Sequence, residues 1–217
     1  MIYKRKERIR NLNKKVEKLQ EKEFAAEDLQ HWMMTGIDFE NRVLDINSDI
    51  DERTADLIKR SVTKFIEMDC HAPITINLST YGGELIEMLA IIDILKAAPC
   101  PIIMLATGKI MSAGLPIYLC GDIRLASPNT RFMMHSLSHK VGGKLKDTEI
   151  DVKEANLLNN IMIDFLVKNT KKNKKWWEQK ISSHDYYFGV SEAKELGVIQ
   201  EKYVGQKGRM QVGESKK

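Results

Sequence analysis

The chain has 217 residues, 43% of them hydrophobic and 29% charged, with a formal net charge of +4. That length suffices for one domain of ordinary size with its own core and short tails, and the mixture is that of a soluble globular protein. No apolar run approaches a membrane span, and much of the positive excess sits at the two ends, which argues against a nucleic-acid surface.

Residues 1 to about 24 are dense in Lys, Arg and Glu, with Ile9, Leu12, Val16 and Leu19 spaced three, four and three apart. That spacing predicts a helix-prone basic arm with one apolar stripe, either a partner-docking helix or a solvated tail helix. The opening MIYKRKERIR has no apolar stretch behind its charges, so no secretory signal is expected and the location is read as cytoplasmic. From about Val43 the pattern changes. Asp51 to Cys70 reads as a helix with Ile58, Val62, Phe65 and Ile66 on one face, and Ile74 to Leu78 as a short strand. The segment Ser79-Thr80-Tyr81-Gly82-Gly83-Glu84 turns the chain into a second helix carrying Leu85, Met88, Leu89, Ile92 and Leu95.

Pro101 precedes a continuous apolar strand, Ile102 to Ala106, of the fully buried kind. Gly108 to Gly114 reads as a small-residue turn and Leu115 to Cys120 as a buried helix. Ile123 to Ala126 and Arg131 to Met134 are further strands, and a long helix runs from about Lys144 to Lys171. Ser191 suits a helix N-cap and Gly197 a C-terminal stop, and the last dozen residues are polar. Alternating strands and helices give an α/β class. Cys70, Cys100 and Cys120 are few, odd in number and not at zinc-ligand spacing. They predict buried reduced thiols, with no metal and no cofactor.

Ser112 lies at a strand-to-helix turn, Gly108-Lys109-Ile110-Met111-Ser112-Ala113-Gly114. Such a serine either presents its hydroxyl as a nucleophile, with the following Ala113 N–H at a helix start, or merely caps the helix. Gly82-Gly83 permits close backbone approach to a ligand, with the Gly82 N–H a candidate oxyanion donor, or is an ordinary tight turn. His135 ends a strand, whereas His31, His71, His139 and His184 lack comparable context. Asp185 precedes Tyr186-Tyr187-Phe188 and, alone, reads as a turn residue. A hydroxyl, an imidazole, a carboxylate and paired backbone N–H groups are the parts that acyl transfer by serine requires.

In order and context these segments together resemble the Clp protease proteolytic subunit family, ClpP, over about Leu44 to Tyr203. The glycine loop, the Gly108–Gly114 turn, the stretch Gly121 to His135, Asp147-Thr148-Glu149-Ile150 and the Asp185 to Gly197 region carry the resemblance. It implies a ClpP/crotonase-like spiral of ββα units with a protruding handle helix over about 144–171. It divides the chain into a basic arm (1–24), a peptidase domain (25–205) and a polar tail (206–217). It implies a triad of Ser112, His135 and Asp185, oxyanion donors at the backbone of Gly82 and Ala113, and substrate binding at Gly83 and Ser136. It further implies serine endopeptidase activity on polypeptides inside a ring homo-oligomer of two stacked heptamers fed by an AAA+ Clp ATPase, without nucleic acid or membrane.

Four features depart from the family. Tyr81 stands for a proline, Ala113 for a methionine, and His184 for an arginine that joins rings, while the basic arm replaces axial loops. They leave open a processing peptidase of the phage head-maturation type, working without an ATPase. An inactive scaffold or a crotonase-like acyl-CoA binder on the same fold is the third alternative.

Overall fold

A computed structural model of the chain describes residue 30, residues 34–137 and residues 145–202, with side chains of the last stretch described for residues 150–201. The basic arm and the polar tail expected from sequence lie outside the described residues.

Two short strands open the fold, β1 (Ile37–Asp38) and β2 (Val43–Ile46), paired antiparallel. Helix α1 (Glu52–Met68) begins at Asp51, whose carboxylate accepts the Thr54 N–H at 2.8 Å. This is a side-chain cap for a backbone donor the helix cannot itself satisfy. Ala55, Ile58, Val62 and Phe65 recur at helical spacing and are buried. Next come β3 (Ile74–Thr80), α2 (Leu85–Ala97), β4 (Ile102–Met111), the short α3 (Gly114–Tyr118), β5 (Ile123–Ala126) and β6 (Arg131–Met134). The long α4 (Leu145–Asn169), α5 (Lys174–Ile181), β7 (Tyr186–Gly189), α6 (Val190–Leu196) and β8 (Glu201–Lys202) complete the described chain.

The strands form one eight-stranded sheet in the order β1-β2-β3-β4-β5-β8, parallel from β2 to β8. Helices α1, α2 and α3 are the crossovers that parallel neighbours require. Strand β4 forks. Ile103 to Ala106 pair with β5, and Lys109 to Met111 pair with β6, which in turn pairs antiparallel with β7. The change of partner falls around Gly108, at φ +67°, and the β3–β4 register shifts between Leu78 and Thr80. Below β6 and β7 runs an aromatic column. Phe132 stacks on Phe188 (5.3 Å between centroids), Phe188 on Tyr186 (5.1 Å), and Trp176 and Trp177 meet Tyr186 edge-on. Packing of this kind fixes both strands by area burial and ring geometry together.

Several sequence expectations are corrected. The turn expected over Gly108–Gly114 is mostly strand, because β6 offers β4 a second partner and extends it to Met111. Ser191 is not an N-cap. Strand β7 runs into α6 with Gly189 as the cap residue, so Ser191 falls inside the first turn. Gly197 does end α6, in the left-handed region at φ +77°. Cys70 is exposed rather than buried, because α1 stops at Met68 and leaves Cys70 on the following turn, while Cys100 and Cys120 are buried. Among the described residues no helix is long and apolar enough to cross a membrane, and no group of His, Cys, Asp and Glu is arranged to hold a metal ion.

Candidate active site

Ser112 ends β4 and precedes α3, held from both sides. Its N–H donates to the Met133 carbonyl at 3.0 Å, continuing the β4–β6 ladder, and its carbonyl accepts the Leu115 N–H at 3.0 Å. The price of that sharp turn is a left-handed backbone. Ser112 has φ +51° and, with Arg42, is one of two such non-glycine residues among those described. A serine in that region carries about 1–2 kcal/mol of strain, tolerated here because both flanks are fixed.

The same β4–β6 register brings the residue after β6 beside the nucleophile turn. His135 Nε2 lies 2.8 Å from Ser112 Oγ, and its Nδ1 lies 2.6 Å from the Ser136 carbonyl oxygen. A carbonyl can only accept, so Nδ1 carries the proton in the neutral ring. Nε2 is then the bare nitrogen and accepts from the Ser112 hydroxyl. This is the tautomer general-base activation requires. Both side chains are half-buried, within reach of a substrate.

Asp185 stands just before β7. The β6–β7 register pairs Met134 with Tyr186, so one further step would set Asp185 opposite His135. Its carboxylate is exposed and accepts from the Tyr187 hydroxyl at 3.4 Å, while the Ser136 carbonyl holds Nδ1.

The glycine loop closes on the nucleophile from the β3 side. Gly82 has φ +103°, and a Cβ there would lie 2.7 Å from Ser112 Cβ and 2.8 Å from the Met111 oxygen. Its N–H donates to Thr80 Oγ1 at 3.0 Å. Gly83 has φ +153° and packs on Ile50, whose carbonyl oxygen would lie 2.1 Å from a Cβ. Ala113, buried at the start of α3, follows the serine in helical conformation.

Thr80 is the member that sequence reasoning missed. It is 1% exposed, and its methyl sits where a side chain on Gly114 would fall, 2.4 Å from that Cβ. It therefore spaces the glycine loop from the nucleophile turn with one face and ties Gly82 with the other. A hydroxyl two residues before a glycine is the local signature of such a side-chain turn. Tyr81 projects from the rim, 65% exposed, with the Lys109 ammonium 4.5 Å from its ring centre. A cavity lined by Glu52, Arg53 and Ile94 among others, about 520 Å³, lies between α1 and α2 and includes none of Ser112, His135 and Asp185.

A family model for Clp protease matches residues 27–205. The chain belongs to the Clp protease family. An ATP-dependent Clp protease proteolytic subunit of Deinococcus radiodurans is 27% identical over 164 residues, covering 73% of this chain and 78% of its own. The ATP-dependent Clp protease proteolytic subunit 1 of Rhodococcus jostii is 26% identical over 164 residues, 74% of each chain. A solved mutant ClpP1 of Listeria monocytogenes superposes with a TM-score of 0.71 at 24% identity, over 78% of this chain and 95% of that one. That last likeness concerns the fold, and it is the mixed α/β ClpP fold expected from the glycine loop and the nucleophile turn.

Proposed function

We infer that this chain is a serine endopeptidase whose nucleophile is Ser112 and whose general base is His135. The observation that carries the reading is the 2.8 Å contact between Ser112 Oγ and His135 Nε2, made by a serine on a left-handed turn. Ser112 Oγ attacks the scissile carbonyl while its proton passes to Nε2. His135 then returns that proton to the leaving amine, and water, activated by the same nitrogen, releases the acyl group. Asp185 is the third member of the proposed triad. Moving from Tyr187 onto Nδ1 in place of the Ser136 carbonyl, it would stabilise the imidazolium that a neutral carbonyl supports less well.

The oxyanion takes the Ala113 N–H and an N–H of the glycine loop, each worth about 3 kcal/mol in the transition state. Within that loop the Gly82 N–H is engaged by Thr80, so Gly82 supplies close approach and the second donor is assigned to Gly83. Gly83 and Ser136 flank the cleft where an extended substrate adds as a strand. The working form is a ring homo-oligomer, two stacked heptamers by family resemblance, with α4 and its exposed Ile150, Leu157 and Ile161 available to a neighbouring copy. A Clp ATPase supplies polypeptide to it.

Fluorophosphonate labelling of the assembled protein, with peptide mapping, tests the reading. An adduct on Ser112 and loss of peptide hydrolysis in Ser112→Ala are expected, and Asp185→Asn is expected to lower kcat at least about a hundredfold. Absence of the adduct would overturn the nucleophile. Full activity in Asp185→Asn would remove Asp185 from the triad.

A further inference from the structure

Beside the glycine loop lies a cavity of about 380 Å³ that the chemistry above does not use. Gly83, next to the glycine that abuts Ser112, bounds one side, and Leu137, two residues past His135, bounds another. Leu137 is tied to the opposite wall, since its N–H donates to Asn159 Oδ1 on α4 at 3.2 Å. The cavity therefore borders chain neighbours of both halves of the proposed catalytic pair, without being lined by Ser112 or His135 themselves.

Its lining has two parts. Leu85, Leu137 and Leu158 are apolar members of the lining, and Glu84, Asp151 and Glu154 are its three acidic members, Glu84 and Glu154 being exposed. Asp151, Glu154 and Leu158 follow one another at helical spacings of three and four, so α4 turns a single face to the cavity. Among the described residues no Lys or Arg forms an ion pair with any of the three acids. Three like charges around one concavity repel one another, and an incoming cation relieves that repulsion. An apolar wall ending in carboxylates matches one kind of side chain, a long methylene stem with a cationic head. A neutral aliphatic side chain of equal length gains the wall alone, and an acidic one adds a fourth like charge.

Resting on the serine-peptidase reading, we propose that this cavity is the primary specificity pocket and that it selects Lys or Arg immediately before the scissile bond. The specificity is read by Glu84 from the glycine-loop side and by Asp151 and Glu154 from α4.

The test uses the full-length assembled protein and fluorogenic peptides differing only in the residue before the scissile bond: Lys, Arg, norleucine, Leu or Glu. Exposed ion pairs are each worth about a two- to fivefold preference, so kcat/KM for Lys and Arg should exceed that for norleucine by about tenfold or more, with Glu poorest. In the combined Glu84→Gln, Asp151→Asn, Glu154→Gln variant the Lys-to-norleucine ratio should fall to near one. Glu154→Lys alone should raise the Glu-to-Lys ratio, a readout that needs no triple variant to fold. A wild-type preference for Leu or norleucine over Lys and Arg would overturn the proposal, as would a basic preference that the neutralised variant keeps. Fluorophosphonate labelling separates the two readings. An adduct on Ser112 with no basic preference sinks the pocket assignment alone, and no adduct sinks the peptidase reading on which it rests.

Discussion

Gly82 shows how a single residue constrains the site. It sits at φ +103°, with the Ser112 Cβ and the Met111 oxygen both where its own Cβ would be. An alanine there must move either the glycine loop or the nucleophile turn, and the turn is pinned by the Met133 and Leu115 hydrogen bonds. A displacement of about 1 Å between a nucleophile and its partners costs on the order of a hundredfold in rate. Gly82→Ala should therefore lower kcat/KM about a hundredfold while the protein still folds, with the left-handed backbone lowering its melting temperature by a few degrees. Steady-state kinetics and a thermal melt on the same preparation check this. An alanine variant within twofold of wild type would show that the loop yields freely and has no part in placing Ser112.

Among the elements, the edge formed by β5 and β8 leans on Arg124, beside Gln200, whose side chain accepts from the Arg124 N–H and donates to the Asp122 carbonyl. Arg124 donates from Nε to the Val198 carbonyl (2.9 Å), from one terminal nitrogen to Gly121 (2.9 Å) and from the other to Gly197 (3.1 Å). Strand β8 is only two residues long, so these bonds fix the turn after α6 onto the sheet more than its own ladder does. Arg124→Ala should cost about 3 kcal/mol, less than three separate charged bonds would suggest because water reaches the half-buried site. Arg124→Lys should recover under half of it, since an ammonium cannot fork among three carbonyls. Urea unfolding with an unchanged slope measures this, and a loss below about 0.5 kcal/mol would refute it. The same edge shows what the sequence conceals. Strands with their own pattern, such as the Ile102–Ala106 half of β4 and Arg131–Met134, were legible because burial writes hydrophobicity into consecutive residues. Strands β7 and β8 and the far half of β4 exist through partners distant in the chain, as in the pairing of Met133 with Tyr187, and no local window contains that partner. The site divides the same way. Ser112, His135 and the two glycines were readable as candidates from turn chemistry and family resemblance, whereas the Thr80 spacer shows only in its packing against Gly114, and the Ser136 carbonyl on Nδ1 is a neighbour contact that no residue pattern announces.

For the whole molecule, the question is whether the unit that strains Ser112 opens on its own. Ser112 lies between β4 and α3. The two buried cysteines bracket the same unit: Cys100, 3% exposed, just before β4, and Cys120, 2% exposed, just after α3. Cys120 Sγ approaches the Pro116 carbonyl at 3.6 Å, and burial pushes its thiol up to about 12. At pH 9 roughly one part in a thousand would be the reactive thiolate, even before access is considered. Cys70 is exposed to solvent. A thiol-specific reagent should therefore modify one of the three cysteines quickly in the native protein. It should reach the other two only at a rate that rises with urea in step with global unfolding. Mass spectrometry of the modified peptides would place the fast site at Cys70. Rapid native labelling of Cys120 would mean that the β4–α3 unit opens separately from the rest of the core. The left-handed backbone of Ser112 could then relax without unfolding, and a rigidly held nucleophile would no longer explain the site.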